Sequence, residues 1–185
     1  CNLESFEAAC ANAGSKLKMV AMSQVGNLDG VEIPVKDITK IAKDYGALVS
    51  IDRAQSAPHM SGDVQDLGID FYSFSIHKML GPSGMGGLWG KTELLEKMRT
   101  IQSGGQTVKT STYESLEWAK PPSKFEGGLG HFAGMMATGA AIEYLTNLDM
   151  NEVHAHEQAL NKIMSEGVKD LPGVSIIGPE EASKR

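Results

Sequence analysis

The chain has 185 residues, 41% hydrophobic and 22% charged, with a formal net charge of −6 from 23 acidic and 17 basic residues. That length suits one domain with a sizeable core, and the acidic balance argues against a nucleic-acid surface. No apolar run approaches the roughly 18 residues of a membrane span. No basic block marks a membrane-surface helix and no start resembles a signal peptide, so a cytoplasmic protein is the expectation.

The first element in chain order is a short helix over 5–12, stopped at Gly14. Cys1 and Cys10 fall near it; two cysteines are too few for a disulfide framework and read as buried or fraying thiols. Residues 17–23 form an apolar run of strand length, followed by the turn Gly26-Asn27-Leu28-Asp29-Gly30. Pro34 opens a helix with Ile38, Ile41, Ala42 and Tyr45 at spacings of three and four, and Gly46 ends it. Residues 47–51 and 71–75 read as buried strands, the first ending in Asp52 and the second running into His77-Lys78. Gly81-Pro82-Ser83-Gly84 is a turn, and 85–89 is a fourth strand. Alternating strands and helices predict an α/β domain: a mostly parallel sheet with helices on both faces.

Residues 100–124 are polar and without period, which predicts a long ordered loop of functional importance. Residues 132–147 form a helix of small residues suited to close packing or a dimer face, and 151–169 a more amphipathic helix. Residues 173–178 read as a strand that begins something new. The chain starts at Cys1 rather than Met and stops just after that stretch, so both ends look cut.

In open parallel sheets, ligands sit at the carboxyl ends of the strands. Asn27, Asp52, Gln55, Ser75, His77 and Lys78 all fall there. Singly, each has another account: a surface lysine, an Asp helix cap, a Ser or His satisfying a turn. Jointly they describe a pyridoxal phosphate pocket. An amine at a strand end can form a Schiff base with an aldehyde cofactor. A carboxylate on the neighbouring strand end can hold the pyridine nitrogen protonated, which makes the ring an electron sink. Other motifs carry less. The glycines 81, 84, 86 and 87 precede a strand rather than open a helix, unlike a nucleotide loop. His154 and His156 are two apart on a helix and share no face, so no metal is expected. The ten methionines read as core fillers.

The segment 49–56, with Asp52-Arg53-Ala54-Gln55, resembles the Asp-x-Ala-Gln strand end of class V aminotransferases. Residues 70–84 resemble that family's Ser-x-His-Lys motif followed by Gly-Pro-x-Gly. Within the family the pattern is most similar to the SufS-type cysteine desulfurases. The 25–27 turn, His59 with 63–65, the 104–106 loop and the 125–128 segment all have counterparts there. The resemblance runs essentially end to end. It implies a pyridoxal-phosphate-dependent transferase of fold type I. The chain would hold the second half of the large domain (1–130), a helical linker (131–172) and the start of the small domain (173–185). It implies that Lys78 binds the cofactor covalently and then moves protons at the substrate α-carbon. Asp52 would pair with the pyridine nitrogen, Gln55 would donate to the phenolic oxygen, Ser75 and His77 would hold the phosphate, and Asn27 would sit near ring and substrate. It further implies conversion of L-cysteine to L-alanine, with sulfur passed to an enzyme cysteine and then to an acceptor protein for iron–sulfur cluster assembly, in a homodimer.

Two positions depart from the family. Leu129 stands where the family usually has a Thr that reaches the partner subunit's phosphate site, and Ile76 replaces the commoner Gly between Ser and His. The family's N-terminal phosphate loop and ring-stacking residue, its substrate-binding Arg and its sulfur-accepting Cys have no counterpart here, so the isolated chain is expected to be inactive. Two alternatives stay open. One is another class V enzyme: an aminotransferase, a selenocysteine lyase or an epimerase. The other is an inactive interaction module that keeps the fold.

Overall fold

The computed structural model describes residues 2–184; Cys1 lies outside the described residues. Helix α1 spans Leu3–Ala13, capped by the Asn2 side chain, which accepts the Ser5 amide at 2.9 Å. Strand β1 (Met19–Ser23) leads through the 26–30 turn to helix α2 (Val35–Asp44). Strands β2 (Leu48–Asp52), β3 (Phe71–Ser75) and β4 (Gly86–Gly90) follow, then helix α3 (Thr92–Lys97). A hairpin of β5 (Val108–Ser111) and β6 (Leu116–Trp118) precedes helices α4 (Phe132–Thr146) and α5 (Met150–Val168).

The main sheet has the order β1-β2-β3-β4. β1, β2 and β3 run parallel and β4 runs antiparallel to β3. The reversal has a simple cause: residues 76–85 are too few for the crossover of a dozen or more residues that a parallel neighbour requires. The register assigns residues to faces. Val20 with Val49, and Met22 with Ile51, Tyr72 and Trp89, line one face. That face packs against Val35, Ile38 and Ala42 of α2, with Leu3 and Phe6 of α1 at the margin, and forms the core. The opposite face carries Ala21 with Ser50 and Phe71, then Ser23 with Asp52, Ser73 and Leu88. Leu95 of α3 approaches this second face beside Phe71 and Gly90, while Met19, Ala21 and Leu88 remain exposed.

At the amino end of β3, the buried Asp70 carboxylate ties three elements together. It accepts the Val49 amide at 2.8 Å, the Lys91 ammonium at 2.8 Å and the Lys43 ammonium from the last turn of α2. Burial alone would raise its pKa. The hydrogen bonds from Lys43, Lys91 and Val49 outweigh that and hold it below the usual carboxylate value.

The structure corrects the sequence expectation in two places. The 100–124 segment is no structureless loop, because it contains the β5–β6 hairpin. The buried Lys124 closes it, donating to the carbonyls of Glu96 at 3.0 Å and Met98 at 2.8 Å at the end of α3. The strand expected at 173–178 does not form: the stretch is turn and irregular backbone, and no strand among the described residues lies beside it to complete a ladder. No helix among the described residues is long and apolar enough to cross a membrane.

Candidate active site

Three consecutive parallel strands deliver the candidate residues to one end of the sheet. β2 ends in Asp52, which is paired in register with Ser23 on one side and Ser73 on the other. Ser75 lies two residues beyond Ser73, so Asp52, Ser73 and Ser75 share a face, the one turned away from the α1–α2 core. The chain then enters a 3₁₀ turn, Ile76–Met79, which carries His77 and Lys78.

Ile76 anchors that turn. Its side chain is buried, its amide donates to the Met85 carbonyl at 3.1 Å, and its carbonyl accepts the Gly81 amide at 3.0 Å. Gly81 sits so close that a Cβ there would lie 2.3 Å from Ile76 Cγ2 and 3.4 Å from the Ala141 methyl of α4. Apolar packing at Ile76 thus fixes the turn that carries His77 and Lys78. His77 is exposed and Lys78 half-buried.

Asn27 and Gln55 meet directly: the Gln55 amide donates to the Asn27 side-chain oxygen, joining the turn after β1 to the loop after β2. Asp52 Oδ1 accepts the Ala54 amide at 2.8 Å, which leaves Oδ2 able to accept from elsewhere. No hydrogen bond or ion pair links Asp52 to Lys78 among the described residues. The two are brought together by strand adjacency alone.

Sequence reasoning missed the polar layer beneath these groups. Gln24 is buried, donates its amide to the Asp52 carbonyl at 2.9 Å, and accepts the Ser56 hydroxyl at 3.0 Å through its own side chain. Arg53 is also buried. Burial pulls its pKa below the ordinary guanidinium value, opposed by Tyr72 and Glu32. The Tyr72 hydroxyl is pushed up by burial and pulled back by Arg53. Ser73, the register partner of Asp52, was equally unmarked, since one more Ser in an apolar run gives no signal. A groove of about 930 Å³ lies beside the site, between the 25–34 segment, the 55–60 loop and α5. It is lined by Gln55 but by neither Asp52 nor Lys78. The His59 Nδ1 to Glu157 Oε1 contact of 2.6 Å closes one side of it. No cluster of three metal-ligating side chains exists among the described residues.

An α/β sheet with a lysine and a carboxylate on adjacent strand ends is compatible with a class of cofactor-dependent enzymes. Comparison with known proteins places the chain within that class. The aminotransferase class-V family model matches residues 3–185, and the chain belongs to that family. Among curated relatives, a probable cysteine desulfurase from Halalkalibacterium halodurans is 42% identical over 166 residues, 90% of this chain and 41% of that protein. One from Staphylococcus epidermidis is 45% identical over 170 residues, 91% of this chain and 41% of that protein. Among solved structures, a cysteine desulfurase from Thermococcus onnurineus superposes with a TM-score of 0.91 at 32% identity, over all of this chain and 45% of that one. The Escherichia coli cysteine desulfurase CsdA gives 0.84 at 33% identity, over 89% of this chain and 42% of that one. The chain spans about two-fifths of the length of these curated relatives.

Pyridoxal phosphate is the cofactor that this membership implies, and the donor set fits it. A carboxylate with an open oxygen suits a protonated ring nitrogen. A hydroxyl and an imidazole suit a phosphate, an amide suits a phenolic oxygen, and a half-buried primary amine suits an aldehyde.

Proposed function

We propose that this chain supplies the lysine-bearing half of the cofactor site of a cysteine desulfurase. The observation that carries the reading is the placement of Lys78 on the turn after β3, next to the Asp52 end of β2, in a chain 42–45% identical to proteins named as desulfurases. When bound, pyridoxal phosphate supplies an electron sink for negative charge at the substrate α-carbon.

The residues divide the remaining work. The Lys78 amine would be the group that holds the aldehyde, and the same amine would carry protons to and from the substrate α-carbon. The Asp52 carboxylate accepts the pyridinium N–H and keeps that nitrogen charged. Gln55, braced by its bond to Asn27, would donate its remaining N–H to the phenolic oxygen, and Asn27 would sit near ring and substrate. Ser75 and His77 donate to the phosphate. The substrate is L-cysteine, released as L-alanine, and the sulfur passes to an enzyme cysteine and on to an acceptor protein for iron–sulfur cluster assembly. Cys10 is buried in α1 and unsuited to receive it.

Exposed apolar side chains on α4, among them Phe132 and Met136, support a homodimer. Leu129 is 84% exposed. At that position it supports an apolar subunit contact in place of the hydroxyl that reaches a partner's phosphate in the family. The three-part division at 130 and 172 is supported by α4 and α5, which fill the middle part. A cytoplasmic location accords with iron–sulfur assembly.

The test uses the full-length protein loaded with pyridoxal phosphate and supplied with cysteine and an excess of a dithiol reductant, which is oxidised to its disulfide as it releases the enzyme-bound persulfide sulfur as sulfide. Sulfide and alanine should appear in equal amounts. Borohydride reduction and peptide mapping should place the pyridoxyl group on Lys78, and Lys78→Ala should abolish turnover. Asp52→Asn should cost about 10³-fold in kcat, as for other preorganised electrostatic groups. Label on a different lysine sinks the assignment. Transamination or racemisation without sulfide would favour another class V activity, and a protein that binds no cofactor would be the inactive module that Leu129 allows.

A further inference from the structure

Arg53 fills the variable position of the Asp-x-Ala-Gln strand end and is only 1% exposed, the bulkiest of the fully buried side chains. Arginine is rarely buried so fully unless it is paired, and a buried charge must be hydrogen-bonded. No carboxylate forms an ion pair with it among the described residues. Its partners are instead the loop that follows. Nε donates to Ser56 Oγ at 3.0 Å, and Nη2 donates to the carbonyls of Met60 and Ser61, both at 3.1 Å. The guanidinium lies 5.4 Å from the centre of the Tyr72 ring. The backbone joins in: the Arg53 amide donates to the Ser73 carbonyl at 2.9 Å, and its carbonyl accepts the amides of Ser56 and Ala57. Gly62 completes the wrap, since a Cβ there would fall 1.8 Å from Nη1.

We propose that Arg53 is a positioning residue whose buried guanidinium sets the aim of the Asp52 carboxylate and the reach of Gln55. The path is short. Asp52 Oδ1 is held by the amide of Ala54, the next residue after Arg53. Gln55 comes next and meets Asn27. Ser56, held by Arg53 Nε, hands its hydroxyl hydrogen to Gln24, whose own amide is bonded to the Asp52 carbonyl. Asp52, at the end of β2, and Gln55, three residues on, are therefore both tied to a segment wound around one guanidinium. A fork of N–H donors can hold a hydroxyl and two carbonyls at once; a single ammonium on a flexible stem cannot do so in the same geometry. An apolar side chain of similar length would fill the space and leave those acceptors without donors.

This inference rests on the cofactor reading above. The test compares full-length wild type with Arg53→Met, Arg53→Lys and Ser56→Ala. Ile38→Ala, in the core on α2, serves as the reference for plain destabilisation. Three quantities are read: the melting temperature without cofactor, the pyridoxal phosphate dissociation constant by absorbance titration, and kcat and KM for cysteine. Arg53→Met should weaken cofactor binding about tenfold or more beyond Ile38→Ala, by loss of hydrogen bonds that fix its ligands. Arg53→Lys should recover melting temperature more fully than cofactor affinity. Ser56→Ala, which leaves the guanidinium in place but removes both the bond from Arg53 Nε and the bond to Gln24, should weaken binding about threefold or more. Equal cofactor affinity in Arg53→Met and Ile38→Ala overturns the proposal. Should Arg53→Met not fold, unchanged affinity in Ser56→Ala overturns it in the same way. A wild type that binds no pyridoxal phosphate refutes the functional reading and this inference with it, whereas tight wild-type binding with indifferent variants refutes this inference alone.

Discussion

Replacing Asp70 by Asn keeps the side chain's shape and, with its one oxygen at the Oδ2 position, its acceptance of the Val49 amide; it removes the charge facing Lys43 and Lys91 and replaces the oxygen that accepts from Lys91 with an N–H donor. Hydrogen bonds to charged groups contribute about 1.5–3 kcal/mol each, so two of them amount to about 3–6 kcal/mol gross. The lysine side chains are 35% and 37% exposed, against 3% for Asp70, so both ammoniums regain much of their hydration in the variant. About half the gross figure should survive, a loss of roughly 1.5–3 kcal/mol, or about 3–12 °C in melting temperature for a unit of this size. The pH dependence has a definite sign. The folded-state pKa of Asp70 is depressed, so its contribution is fully present above the unfolded value of about 3.9 and is lost as pH falls through the folded one. Urea denaturation of wild type and Asp70→Asn at several pH values checks this. The gap should be full at neutral pH and shrink in acid. A loss under about 1 kcal/mol at neutral pH, or a gap that persists unchanged well below the carboxylate range, would refute the account.

Two further substitutions probe the packing that shapes the site. Gly81→Ala drives a methyl into Ile76 Cγ2, so it should cost about 1–3 kcal/mol by overpacking. Because Ile76 anchors the turn bearing Lys78, cofactor affinity should fall with stability, and calorimetry with a cofactor titration reads both. Thr39 Oγ1 is buried on α2 without a hydrogen-bond partner. Thr39→Val should therefore stabilise the protein by about 1 kcal/mol, and a melting temperature below wild type would count against it.

Much of the site was legible because the strands are short apolar runs that stop abruptly at Asp52 and at Ser75 through Lys78, and strand ends are where a parallel sheet gathers ligands. The hairpin was hidden because every residue of β5 and β6 is exposed, so no burial imposes an alternation that a reader could detect. The stretch at 173–178 misled in the opposite sense: Val174, Ile176 and Ile177 have strand composition, yet a strand exists only where a neighbour pairs with it. Arg53 escaped notice because charge in a sequence is read as surface, and nothing local announces a loop that will close over a guanidinium.

The two faces of the central sheet have separate duties. Val49 and Ile51 look toward α2, while Asp52 and Ser73 look the other way. Changes at the proposed cofactor side thus alter chemistry without opening a void against α2, and changes in the α2 layer that covers Val49 and Ile51 lie away from the reacting groups. Substitutions on opposite faces should combine nearly additively. Such a division lets a lineage explore new substrates at the strand ends while its folding stability stays in reserve on the far side. One scaffold can in this way be tuned for different reactions without being rebuilt.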